Sequence, residues 1–147
     1  MNTDVTIRPM LDADVPVVAK IEEATFSMPW SADDFYDMIR RDNMTYMVAQ
    51  TGDTIIGGAG MRNIAGDGEI TNVAILEEYR GRGYGKKLLT ALLEEGTKMG
   101  ANAFTLEVRI SNTPAIRLYE SLGFVSEGVR PGFYERPKED ALIMWKR

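Results

Sequence analysis

The stretch Arg80-Gly81-Arg82-Gly83-Tyr84-Gly85-Lys86 has the residue types of a ligand-binding turn. Glycines let a backbone approach a ligand closely. If a helix starts just after them, its first N–H groups lack partners and attract an anion, and flanking Arg and Lys add charge. That chemistry suits a phosphate or pyrophosphate; the plain alternative is a solvated basic turn. Two familiar phosphate motifs do not fit. A P-loop would place Gly at 80 and Ser or Thr at 87, where Arg80 and Lys87 stand. A dinucleotide fingerprint would place its third Gly at Lys86.

Further candidates lie downstream. In Leu106-Glu107-Val108-Arg109 the alternation puts Glu107 and Arg109 on one face. Glu107 is either a general base, directly or through water, or an exposed carboxylate paired with Arg109. Tyr119 falls on an apolar stripe, so it either packs in the core or keeps a polar tip able to donate a proton to a leaving thiolate. Asn112 either caps a helix or holds a ligand through its amide. Trp30, Phe133 and Tyr134 either line a substrate groove or anchor loops.

Composition limits the chemistry available to them. The 147 residues include no Cys and no His. Ser-His-Asp and Cys-His catalysis, Cys/His zinc sites, disulfides and thiol redox chemistry are therefore excluded. Carboxylates alone could still hold magnesium or calcium, but no EF-hand spacing is present and no metal is expected. Lys and Arg number 17 against 22 Asp and Glu, a net charge of −5, which disfavours non-specific nucleic-acid binding. Met1 to Asp4 is polar and the apolar runs are short, so neither a targeting segment nor a membrane span is expected, and the cytoplasm is the default location.

The length fits one domain, residues 1–147. Val5 to Arg8 reads as a strand ended by Pro9. Asp12 to Thr25 reads as a helix with Val15, Val18, Ile21 and Ala24 as its apolar stripe and Asp12 or Asp14 as cap. Ser31 caps a second helix running to about Arg41. Tyr46 to Gln50, Ile55 to Met61 and Glu69 to Leu76 read as an antiparallel meander. Lys86 to Met99 is a helix with a Leu stripe, closed by Gly100. Ala103 to Val108 is a strand. Thr113 caps the next helix, with Pro114 in its first turn, and Gly123 closes it. Phe124 to Val129 and Ala141 to Trp145 are the last strands, with Arg130 to Asp140 as a loop. The order β-α-α-β-β-β-α-β-α-β-β predicts an α/β fold: a single mixed, mostly antiparallel sheet flanked by helices.

Strand, R-x-x-G-x-G, helix, strand, then Asn112-x-x-Ala115 and Leu118-Tyr119 through Gly123-Phe124 resembles the GCN5-related N-acetyltransferase (GNAT) family. Met28-Pro29-Trp30-Ser31, Leu106 to Arg109 with Ser111-Asn112, and the ending Arg130 through Met144 are similar to its ribosomal-protein-alanine N-acetyltransferase branch. The resemblance implies acetyl-CoA as co-substrate and direct transfer to the α-amino group of a protein N-terminus, such as that of a ribosomal protein. It implies neither a nucleic-acid nor a membrane partner. It implies that Val73, Ala74 and Ile75 offer backbone groups to the acetyl and pantetheine arm. Arg80, Gly81, Arg82, Gly83, Tyr84, Gly85 and Lys86 would cradle the pyrophosphate, and Asn112 would contact the cofactor. Glu107 would accept a proton and Tyr119 donate one, with Trp30, Phe133 and Tyr134 on the acceptor side. Two other readings share these residues: acetylation of a small-molecule amine, and a non-catalytic acetyl-CoA-binding module.

Overall fold

A computed structural model describes residues 5–147; the polar segment Met1 to Asp4 lies outside the described residues. Seven strands form one sheet: β1 (Thr6–Pro9), β2 (Met44–Thr51), β3 (Thr54–Ile64), β4 (Asp67–Ile75), β5 (Ala103–Arg109), β6 (Val125–Tyr134) and β7 (Glu139–Lys146). Four helices accompany them: α1 (Val15–Thr25), α2 (Ala32–Ile39), α3 (Tyr84–Lys98) and α4 (Thr113–Ser121). The element order is the one expected from the sequence. The spatial order is β1-β2-β3-β4-β5-β7-β6, and only β4 and β5 run parallel.

Two apolar clusters cover the two faces. On one, the stripe of α3 (Leu88, Leu89, Leu92) packs on Met61, Phe104, Leu106 and Val108, with Tyr119 and Phe124 from α4 and the chain after it. On the other, Val15, Val18 and Ile21 of α1 and Phe35 and Met38 of α2 pack on Tyr46, Val48 and Ala74. Each fully buried Leu, Val or Phe contributes about 1.5–3 kcal/mol, so these stripes decide which side of the sheet each helix covers.

The feature that makes a site is where the sheet comes apart. β4 and β5 are in register only over Asp67–Ala103, Gly68–Phe104 and Glu69–Thr105. Beyond that, β4 stays with β3 as far as Ile75, and β5 stays with β7 as far as Arg109. The strands therefore diverge into a V. At its vertex, the β3–β4 register jumps from Met61–Ile70 to Gly60–Asn72, so Thr71 is an extra residue in a bulge. A bulge of this kind bends its strand and re-aims side chains.

Several local expectations are corrected. A short 3-10 turn over Asp12–Asp14 precedes α1, and neither aspartate caps the helix through its side chain. Asp14 instead accepts the Leu11 N–H at 2.8 Å and takes Arg8 Nη1 at 2.7 Å and Nη2 at 3.0 Å. Ala24 is exposed, and Glu22 is buried beside the stripe in its place. Ser31 does cap α2, in a box with Asp34, but α2 ends at Ile39 rather than Arg41. Asn112, not Thr113, caps α4, its Oδ1 accepting the Ala115 N–H at 3.3 Å. Arg130 to Tyr134 is strand rather than loop: β6 carries a register irregularity there and re-pairs Tyr134 with Glu139.

Candidate functional site

The open edge of β4 presents backbone groups to the V. The Leu76 N–H donates to the Ile56 carbonyl at 2.8 Å, so by alternation Ala74 turns its backbone to β3, and Val73 and Ile75 turn theirs outward. The Ile75 carbonyl accepts Arg80 Nε at 2.8 Å, which pulls the following turn against the strand. The side chains of Val73 and Ile75 join the α3 cluster, and that of Ala74 joins the other.

The glycine turn has the backbone its residues predicted. Gly81 (φ +77°) and Gly83 (φ +82°) are left-handed, and a Cβ on either would meet nothing within 4 Å. Gly83 precedes the first residue of α3, which has no acidic residue in its first turn. A helix N-terminus without side-chain caps carries unpaired N–H groups and about half a positive charge. Arg80, Arg82, Lys86 and Lys87 surround it, all exposed; the Arg82 guanidinium lies over the Tyr79 ring at 5.5 Å. Tyr84 is buried at the helix start, and Gly85 sits against Leu118 of α4. The open left-handed turn and its charges fit a pyrophosphate.

On the far side of the V lies a groove of about 600 Å³ whose lining includes Trp30, Thr71, Glu107, Arg130, Phe133 and Tyr134. All of the sequence-predicted acceptor-side residues meet there. Glu107 projects from the β5 face opposite Leu106 and Val108. Its partner is not Arg109, as its shared face allowed, but Arg130, with Nη2 to Oε2 at 3.3 Å. Arg109 serves the neighbouring wall. It donates to Glu139 Oε1 at 3.1 Å, to the Pro137 carbonyl at 2.9 Å and to the Glu135 carbonyl at 3.0 Å, and it stacks on Tyr134 at 4.5 Å. It thus ties down the β6–β7 connection that follows Phe133 and Tyr134. Glu139 also accepts the Ser111 N–H, and that hydrogen bonding, with Arg109 adding to it, holds its carboxyl below the usual range.

Tyr119 takes the core position that its apolar stripe allowed. Its ring is 7% exposed and packs edge-on to Phe124. Its hydroxyl makes no hydrogen bond among the described residues, yet it is not fully sealed from solvent. Burial first, then Tyr134, pushes its phenol well above the ordinary value. Tyr134 is itself pushed up to about 12, mainly by burial and then by Glu107. Tyr134 therefore sits within electrostatic range of both Tyr119 and Glu107. Asn112 spends its oxygen on the α4 cap, and its amide nitrogen has no partner among the described residues.

Three residues of the site escaped the sequence reading. Thr71 and Asn72 lie at the bulge, whose position is set by register and leaves no mark in composition. Glu22 reaches Asn72 and the Trp30 backbone. Its signal was present: it follows Val15 and Val18 at helical spacing, where a hydrophobe is due. Among the described residues no group of acidic side chains is arranged to hold a metal ion, and no helix is long and apolar enough to cross a membrane.

A parting parallel strand pair, with a basic glycine turn and helix start on one side and a carboxylate-lined groove on the other, defines a class. Residues 15–124 match the model of the acetyltransferase (GNAT) family. The chain belongs to that family and is an acetyl-CoA-dependent N-acetyltransferase. It is 36% identical over 146 residues to a putative ribosomal protein bS18-alanine N-acetyltransferase of Bacillus subtilis, covering 99% of this chain and 97% of that one. It is 33% identical to the bS18-alanine N-acetyltransferase of Escherichia coli, covering 95% of each. The crystal structure of the Escherichia coli ribosomal-protein-S18-alanine N-acetyltransferase superposes with a TM-score of 0.87 at 30% identity, over 97% of this chain and 93% of that one.

Proposed function

We propose that the acceptor is the N-terminal α-amino group of a ribosomal protein, of the kind named for these relatives, and that Glu107 and Tyr119 carry the proton transfers. The carrying observation is the groove on the far side of the V, walled by Glu107, Tyr134 and Trp30. Acetyl-CoA supplies an activated acetyl thioester. Its pyrophosphate fits Gly81 to Lys86, its arm the open edge of β4, and the free amide of Asn112 is within the same region of the fold.

The residues then divide the work. An amine attacks only when neutral. An α-amino group has a pKa of about 7.7–8.0 and a lysine about 10.4, so deprotonation at pH 7 costs about 1 kcal/mol for the first and between about 4 and 5 for the second. A carboxylate such as Glu107, directly or through water, suffices for the cheaper case. Arg130 holds that carboxylate in the groove wall. The outward N–H groups of Val73 and Ile75 offer donors to a developing oxyanion. Tyr119, kept protonated by its burial, presents a hydroxyl that donates to a departing thiolate. With no Cys in the chain, no acyl-cysteine forms, and transfer is direct.

The test is CoA release with a peptide bearing a free N-terminal Ala and with its N-blocked twin. The free peptide is expected to react and the twin to be inert. Faster turnover of a small amine panel than of any peptide would replace the acceptor with a small molecule. Cofactor binding with no release on either set would leave a binding module.

A further inference from the structure

Glu22 is 2% exposed, on a helix face otherwise given to Val15, Val18 and Ile21. Its Oε2 accepts the Trp30 N–H at 3.3 Å, and its Oε1 accepts Asn72 Nδ2 at 3.2 Å. Asn72 is 6% exposed, and its Oδ1 accepts the Thr71 hydroxyl at 2.6 Å. Space for this amide comes from Gly60, where a Cβ would lie 2.6 Å from Asn72 Oδ1. Burial raises the carboxyl above its ordinary value, and among the described residues no Lys or Arg is paired with it. A buried carboxylate without a cation is a poor stabiliser, and a hydrophobe would fill the position at lower cost.

What a hydrophobe would not do is join two backbone segments that both line the groove. One is the α1–α2 connection, which carries Trp30. The other is the β4 bulge, which carries Thr71. Trp30 is held a second time by its ring, 5.6 Å from Phe35, which in turn meets Tyr46 edge-on at 5.2 Å. The aromatic contact fixes the ring's neighbourhood, and the Glu22 bond fixes where the backbone enters α2.

We propose that Glu22 is a positioning residue for the acceptor: by holding Trp30 to the β4 bulge it sets the groove wall, without itself touching the reacting atoms. The inference rests on transfer to an acceptor in that groove. Its test uses Glu22→Gln in the full chain. A glutamine keeps the size but cannot accept from both donors unless Asn72 turns over. Amide exchange over residues 26–31 is expected to quicken about tenfold, as loss of a charge-assisted hydrogen bond implies. The KM for a peptide with a free N-terminal Ala is expected to rise by a similar factor. The kcat and the acetyl-CoA Kd stay within about twofold.

Unchanged exchange at 26–31, acceleration spread evenly over the fold, or an unmoved peptide KM would each overturn the proposal. A fall in kcat with a shifted pH profile would also overturn it, by placing Glu22 in the proton transfer. Should Glu22→Gln not fold, Asn72→Ala removes the second tether alone, and the same readouts decide. If the parent enzyme acetylates no peptide, the acceptor reading fails, while the exchange at 26–31 still tests the tether.

Discussion

Glu107 and Tyr119 share a site but differ in how the protein holds them. Glu107 lies in the groove wall against Arg130, whereas the Tyr119 ring is packed in the core against Phe124. Glu107→Gln should cut kcat by about 10²–10³, within the usual range for a general base. Calorimetry should find acetyl-CoA affinity unchanged, because the glycine turn is on the other side of the V. An unaltered rate over a pH series would remove the base assignment. Tyr119→Phe keeps the ring and its Phe124 contact. Thermal unfolding should shift by less than about 1 kcal/mol, since no protein hydrogen bond is lost, while kcat falls. Because burial raises this phenol, it stays protonated as pH climbs through the ordinary tyrosine range, so parent and mutant should share one alkaline limb. The sequence placed Tyr119 on an apolar helix stripe and Glu107 on the polar face of its strand, and both positions follow from local periodicity. Arg109 was legible only as Glu107's neighbour, because face-sharing along one strand cannot reveal a partner supplied by Glu139 across the sheet.

The glycine turn and α3 form the element whose behaviour depends least on side-chain contact. Nothing lies within 4 Å of a Cβ built on Gly83, yet its φ is +82°. Gly83→Val therefore meets no clash; its penalty is backbone strain, about 1–3 kcal/mol for a β-branched residue held there. Calorimetry should find acetyl-CoA binding lost. Retained affinity would move the pyrophosphate elsewhere. The helix and its Leu stripe were legible because Leu periodicity and glycine spacing are local, although the helix starts at Tyr84 rather than Lys86 and ends at Lys98 rather than Met99. The last hairpin was not: Pro131-Gly132 has turn chemistry, but here it sits inside β6, whose pairing irregularity absorbs it. Asn112 against Thr113 as the α4 cap was a one-residue choice between two good capping types, settled only by the backbone.

At the scale of the whole molecule, two carboxylates give stability opposite responses to acid. Arg8 hydrogen bonding lowers the Asp14 pKa, so its contribution is present above the unfolded value of about 3.9 and drains away as pH falls below it. Burial raises Glu22, so its ionised form costs stability near neutrality, and that cost is relieved as pH falls towards the ordinary carboxylate range. Unfolding midpoints should thus rise on mild acidification and drop below about pH 4. Asp14→Asn should lose part of the acid drop and Glu22→Gln the mild-acid rise, both read by thermal scans. The sheet's order of layers was legible in the sequence; the V was not, since nothing local marks where a parallel pair stops pairing. That stopping point has a mechanical meaning. At the middle of the three shared registers, a methyl on Gly68 would press Phe104 at 2.8 Å and the Met61 sulfur at 2.9 Å. The missing side chain at Gly68 is thus what lets the two strands close up just before they part, and any larger residue there would have to push Phe104 and Met61 aside.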